Sequence, residues 1–549
     1  MHVDARQLLD QATLEADVAI VGAGPAGITV AQELMGRGLT ILLIECGTFD
    51  RPEPYAEDVA RWVELGIRDT EKHQCNRRVG GSTWYWGSHA RPLDPIDFEK
   101  RDWVPHSGWP VSYAQMAPFF DRTLDLLELR AMAGEHLAWD AREVPDMGTT
   151  DWPEVCFPLN RFGAIEFSQR AAAMRLLPGV TFLTSATVSD IRLRADLSAV
   201  DHLVCSTPSG SKVRVHAARV VLASGGVENP SILLRANAQI REGIGNERGL
   251  VGRFLQAHPT VECPFRFLSD FSIPTALQID WKRALIGNIS ARREALRGYA
   301  FAKLALAEKT QREHRLLNSA AALAGFHNAD ATKVWDDLAK FLTDYGAGLD
   351  NDGAEKALRQ FGVRMPHLLR ALHNMRTRQS QVDYFFNMQI ACEQAPNPES
   401  RVTLTDDVDA LGNRRPAIDW RLTDLDRRSA KRTAEVLGLA FEVRGLAEDD
   451  LRDPILDPAW PGRMHGGFHY IGTTRMGHDA STGVVDANAK VFGVDNLYIT
   501  GCSIFPTSGH APPTFTLVAL AARLASHLRG DKADRLLEPR VGALSANTR

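Results

Sequence analysis

The chain has 549 residues, more than the roughly 250–300 at which a single hydrophobic core stops growing, so two sizeable cores are expected. A formal net charge of −5 leaves no basic excess to draw nucleic acid or an anionic membrane surface. The seven cysteines are scattered without CxxC or CxxCH spacing, which argues against a disulfide framework, a metal site and a covalent haem, and suits a reducing cytoplasm.

The first sixteen residues are polar, and no apolar run approaches the roughly 18 residues of a membrane span, so neither export nor a membrane partner is expected. Asp17–Val21 is a short apolar run ending in glycine, Pro25–Arg37 has helical character, and Thr40–Ile44 is a second apolar run. This is strand, helix, strand. Between the first strand and the helix, Gly22, Gly24 and Gly27 form G-x-G-x-x-G. Gly22 permits the tight turn, Gly24 lets backbone N–H groups approach a pyrophosphate, and Gly27 lets the helix lie against the sheet. Glu45 closes the second strand, where an acid accepts hydrogen bonds from ribose hydroxyls and repels the extra phosphate of NADP. These residues alone leave NAD and FAD open.

Further along, Gly80, Gly81, Ser82 and Thr83 lead into Trp84, Tyr85 and Trp86. This is either a turn entering an aromatic core or a place to hold phosphate and a flat ring. Val213–His216 and Arg219–Ala223 read as a pair of strands running into Ser224, Gly225 and Gly226, with Glu228 and Asn229 capping or supporting that turn. Arg312–Met375 reads as helices, with Val334, Leu338, Phe341 and Leu342 on one stripe. Leu497–Thr500 reads as a strand and Pro513–Leu528 as a helix stopped near Gly530.

Taken together, GAGPAG with Glu45, VGGST at Val79–Thr83, RVVLASGGVENP at Arg219–Pro230, QAPNPESRV at Gln394–Val402, HYIGTTRMG from His469 and GVVDANAKVFGVDNLYITGCSIFP ending at Pro506 resemble the glucose-methanol-choline (GMC) family of FAD-dependent oxidoreductases, with some likeness to its pyranose oxidase-like branch. The resemblance covers nearly the whole chain. It implies an α/β fold: a Rossmann-like FAD-binding domain built from residues 1–100, 179–257 and 465–549, and an α+β substrate-binding domain from 101–178 and 258–464 with a helical insertion at about 312–375. It favours FAD over NAD, with Gly22, Gly24, Ala26 and Gly27 at the pyrophosphate. It also implies that Ser82 and Thr83 lie near pyrophosphate or flavin, that Val188 sits at the adenine, and that Gly501 and Cys502 form a second flavin-contacting turn in which Gly stands for a common Asp. Tyr85 stands where pyranose oxidases carry a covalently attached histidine, so dissociable FAD is expected.

Oxidising an alcohol carbon removes a proton from the hydroxyl and a hydride to flavin N5, and a neutral histidine suits the first task. The resemblance assigns that base to His469. The family's second active-site residue falls on Pro512, which has no donor, so either His510 fills its place, His469 works alone, or the chemistry is lost or altered. The helix beginning at Pro513 and Thr514 can turn its positive end toward charge gained by the reduced ring. His258 is expected to be structural or near the flavin, and His89 and Arg91 are candidates for contact with substrate or FAD.

The function expected is therefore oxidation of a CH–OH group on a small-molecule alcohol, sugar or secondary-metabolite hydroxyl, with oxygen, a quinone or a protein as the final electron acceptor. The competing readings are a non-redox lyase or cyclase in which FAD is structural, a binding protein without catalysis, and a monooxygenase.

Overall fold

The computed structural model describes residues 1–50, 54–69, 76–130, 139, 152–163, 165–267, 300–326, 384–444, 447–448 and 463–530. Its largest sheet has eight strands. Along it run His2–Asp4, Val180–Thr184, Ile41–Ile44, Ala12–Val21, Lys212–Leu222, Val200–Ser206 and Thr187–Leu193, with Leu497–Ile499 also pairing to Lys212–Leu222. The strands from His2–Asp4 to Lys212–Leu222, together with Leu497–Ile499, pair in parallel. Thr187–Leu193 and Val200–Ser206 join antiparallel.

The two segments expected at Val213–His216 and Arg219–Ala223 are one strand of 11 residues. It changes partner midway: Lys212–Val215 pair with Leu203–Ser206, and Val220–Leu222 pair with Leu497–Ile499. One flank is half exposed and the other fully buried, so the pattern changes although the strand does not. The Ala12–Val21 strand does the same, alternating over ATLEA before the buried VAIV.

The helices Pro25–Leu34, Tyr113–Leu126 and Thr514–Arg529 pack on one another. Their apolar residues join the sheet in one core that includes Ile20, Ile28, Leu43, Val221, Phe515 and Leu520. Gly530 ends the last helix at φ +72, where a left-handed residue takes up the terminal carbonyls.

A second core lies on a six-stranded sheet ordered Ala447–Glu448, Thr260–Phe267, Tyr384–Cys392, Ser319–Phe326, Leu304–Leu306 and Val155–Cys156. Helix Asp424–Glu442 brings Ala430, Leu437 and Phe441 onto it, beside Trp152 and Trp420. Ser319–Phe326, expected to be helical, is an interior strand there. The alanine-rich SAAALAGF carries weak local preference, and its two antiparallel neighbours decide its state. Arg312–His314 end a helix that starts at Glu308, and from residue 327 on the expected insertion, with Val334, Leu338, Phe341 and Leu342, lies outside the described residues.

Arg101 and Glu393 clamp the two cores together, with donor–acceptor distances of 2.8 and 2.5 Å and both side chains fully buried. Glu393 also accepts from the Asn318 backbone N–H at 2.8 Å. Glu393→Ala strands a buried guanidinium, and the expected cost is about 3–5 kcal/mol. A thermal unfolding midpoint within a degree of the wild type would contradict this. Among the described residues no helix is long and apolar enough to cross a membrane.

Candidate active site

Three distant segments meet at the start of the first helix. Gly22 adopts φ +105, and a Cβ at Gly27 would lie 2.0 Å from the Gly22 carbonyl oxygen, so the helix can approach the turn only with glycine there. Gly24 differs. It caps the helix without a side-chain hydrogen bond, and a Cβ on it would meet nothing within 4 Å. Open space therefore lies beside first-turn N–H groups, the arrangement that accepts an anion.

The Gly80–Thr83 turn presses on this loop. Gly80 N–H donates to Ala23 at 2.8 Å, and a Cβ on Gly81 would sit 3.0 Å from the Gly24 Cα. Gly501, at φ +105, brings a third turn beside Ala26. Glu45 is 7% exposed; its two carboxylate oxygens accept from Ala23 and Gly47 N–H, each at 3.0 Å. Each oxygen keeps a second lone pair. Val188 is buried in the Thr187–Leu193 strand, whose lead-in is tied to the Glu45 carbonyl by Ala186 N–H at 3.0 Å.

The aromatic residues after Thr83 do not form one patch. Trp84 lies under the Arg78 guanidinium at 3.5 Å and donates to the Val79 carbonyl, whereas Tyr85 is exposed and Trp86 packs edge-on against Phe167. At the second turn, Asn229 bonds Ser224 N–H at 2.8 Å and reaches Ser503 at 2.9 Å. Glu228 instead pairs with Arg77 and Arg235, a role that its place in the motif did not suggest.

At the opposite end of the chain, a short antiparallel ribbon carries the histidines. Gln256 and Ile471 exchange backbone hydrogen bonds at 2.9 Å, and Thr260 N–H donates to His465. Gly467 at φ +68 and Phe468 at φ +55 turn the chain between them. A Cβ on Gly467 would crowd His469 Nδ1 at 3.1 Å.

The ribbon sets His469 Nδ1 2.8 Å from His258 Nδ1, with His258 Nε2 3.4 Å from the Ser508 carbonyl oxygen. Burial, assisted by His258 and Lys303, holds His469 well below the ordinary histidine value. Burial likewise pushes His258 down to about 3.

His510 is buried beside this pair. Its Nε2 contacts the Asp94 carboxylate at 3.1 Å, and its Nδ1 has no hydrogen-bond partner among the described residues. Burial outweighs the pull of Asp94 and lowers the His510 pKa. Asp94 is further held by Arg91 and by Asn318 Nδ2 at 3.0 Å. Arg91, despite burial of Asp94, keeps that carboxyl below the usual range.

Comparison with known proteins supplies the chemistry of this arrangement. The sequence profile of the GMC oxidoreductase family matches residues 396–521. Paromamine 6'-oxidase of Streptomyces fradiae is 25% identical over 94% of this chain and 92% of its own length. The fructose dehydrogenase large subunit of Gluconobacter japonicus is 22% identical over 94% and 98%.

Residues 396–521 thus carry the GMC oxidoreductase pattern, and relatives that are oxidases and dehydrogenases align along 94% of the chain. The chain is an FAD-dependent oxidoreductase acting on CH–OH donors. The crystal structure of formate oxidase shares the fold, with a TM-score of 0.55 and 17% identity, covering 97% of this chain and 100% of that one.

The space beside Gly24, the first helix start without a side-chain cap and the adjoining Gly81 and Gly501 turns fit the pyrophosphate of an FAD cofactor. Cys502 is half-buried; desolvation pushes its thiol up to about 12, and its Sγ contacts the Tyr470 carbonyl at 3.2 Å. Pro513 caps the last helix and Thr514 begins it, two residues from Thr516, whose hydroxyl receives Leu93 N–H at 3.1 Å.

Sequence reading named His258, His469 and His510, and the structure brings them together. It missed Asp94 and Lys303. Asp94 stands 416 positions from His510, so no local pattern joins them. The visible sign at Asp94 was an ordinary capping box with Asp97.

Proposed function

We propose that this enzyme removes a hydride from the carbinol carbon of a small-molecule alcohol while Nε2 of His469 takes the hydroxyl proton. The observation carrying this reading is the His258–His469 contact, because it fixes where the protons sit. A carbonyl can only accept, so His258 Nε2 carries the hydrogen that faces Ser508. Neutral His258 then presents a bare Nδ1, which accepts from His469 Nδ1–H at 2.8 Å. That leaves Nε2 of His469 with its lone pair, the form a general base requires.

FAD supplies the two-electron acceptor when bound. A Rossmann-like dinucleotide site would hold it, dissociably, through Gly22, Gly24, Ala26, Gly27, Glu45, Gly80, Gly81, Ser82, Thr83 and Val188. Gly501, Cys502, Pro513 and Thr514 would face its ring, and the amide N–H groups of the last helix would favour negative charge there. In this reading residues 1–100, 179–257 and 465–549 make the cofactor domain, and 101–178 with 258–464 make the substrate domain.

His510 donates Nε2–H to Asp94, so its unpartnered Nδ1 is an acceptor. It orients the substrate hydroxyl in place of the side chain that Pro512 lacks.

The base works deprotonated and its pKa is depressed. Activity therefore persists as pH falls below 6.5 and fails only when His469 protonates. His258→Leu removes both the acceptor that fixes the tautomer and a depressing neighbour. The acid limb of kcat/KM should move up, with a loss of roughly 10–100-fold, part of what a positioned base contributes. An unmoved limb would reject the assignment of His258 as the positioning residue.

A further inference from the structure

Lys303 lies between the Ala300–Ala302 and Leu304–Leu306 strands, where the chain leaves a three-stranded sheet for the six-stranded one. Its backbone N–H is fixed to Pro158 at 2.9 Å, and the residue is 8% exposed. Among the described residues its ammonium makes no hydrogen bond or ion pair. Burial pushes Lys303 down to about 8, and Arg91, of the same sign, adds to the effect; no acid offsets them.

The surrounding charges are already matched. Arg91 pairs with Asp94, which also holds His510 and Asn318. Arg101 pairs with Glu393. His258, His469 and His510 are all held below the ordinary histidine value, and the Lys303 charge contributes to each shift. A buried cation without a partner is costly, and a bound anion removes that cost. Among the described residues the Lys303 charge is left unmatched, and a singly charged carboxylate would match it.

We propose that Lys303 binds a carboxylate group of the substrate, so that the favoured donors are hydroxy acids. The ammonium is a compact point charge with three donors on a flexible stem, suited to a carboxylate held at the edge of a site. This rests on the alcohol-oxidising reading for the place of the substrate. The binding itself is measurable without turnover.

The test uses the FAD-loaded protein and two probes of similar size, acetate and acetamide, followed by perturbation of the flavin absorbance. Acetate should saturate, with acetamide at least roughly tenfold weaker. Acetate affinity should fall as pH rises through about 8, where Lys303 loses its charge. His258, His469 and His510 are held below the ordinary histidine value and Asp94 below the usual carboxylate range, so in that window the ammonium is the group reported.

Lys303→Met should weaken acetate at least roughly tenfold, and Lys303→Arg should retain it. Lys303→Gln replaces the first variant if that one fails to fold. In the matched substrate arm, hydroxy acids should bleach the flavin anaerobically at lower concentration than their amides. Equal binding of acetate and acetamide, or wild-type acetate affinity in Lys303→Met, overturns the proposal. So does a variant that changes the flavin potential alone, which would assign the charge to the cofactor. Failure of the parent reading looks different: acetate binds as expected, yet no alcohol reduces the flavin.

Discussion

His469→Gln is expected to slow anaerobic flavin reduction by roughly 10²–10⁴-fold, the contribution of a positioned general base, while the protein remains yellow. The Gln256–Ile471 ribbon and the Gly467 turn fix the imidazole, His258 holds its tautomer, and burial keeps it unprotonated. Glutamine keeps a hydrogen-bonding amide of similar reach but cannot accept a full proton. FAD content should not change, because the glycine turns proposed to hold the cofactor belong to other segments. Stopped-flow absorbance on the loaded variant checks both halves at once. A rate within threefold of the wild type would remove His469 from the role.

The second large effect separates two glycines of one motif. Gly24→Val should fold with near-wild-type stability yet lose FAD affinity by roughly a hundredfold or more, about 2.7 kcal/mol. Its φ of −82 suits any residue, and the added Cβ enters open space, the space a pyrophosphate would fill. Gly27→Ala should behave differently. Its Cβ would fall 2.0 Å from the Gly22 carbonyl, so backbone must move, at a cost of about 1–3 kcal/mol even without cofactor. Thermal unfolding of the FAD-stripped proteins separates the cases: only the second variant should be destabilised. Equal melting of both variants would contradict the spatial argument.

Local pattern carried the first strand, turn, helix and second strand, because turn, helix start and buried strand sit within one short stretch and each leaves its own mark. It carried the last helix for the same reason, with Pro513 before it and Gly530 after it. It failed where context rules. Lys212–Leu222 looked like two strands because its neighbours change along its length, and Ser319–Phe326 looked helical because alanine favours helix until two flanking strands claim it.

The histidines could be named individually, but their pairing could not. His258 and His469 are 211 positions apart, and only the folded ribbon brings their Nδ1 atoms to 2.8 Å. Lys303 gave no signal at all, since its meaning lies in being buried without a counter-charge among the described residues. Two residues before Pro512, where the resemblance expects the second active-site residue, the structure holds a buried His510 on Asp94, a contact no local pattern announces.

The central claim is that the electrons of a CH–OH bond reach FAD on this chain, with the proton leaving through His469. It is tested most directly by one anaerobic turnover: loaded protein mixed with a panel of hydroxy acids, sugars and simple alcohols, with flavin absorbance and carbonyl product measured in the same sample. The account predicts bleaching of the flavin and one carbonyl formed for each flavin reduced. Product appearing while the flavin stays oxidised, or an unchanged spectrum across the whole panel, would contradict it.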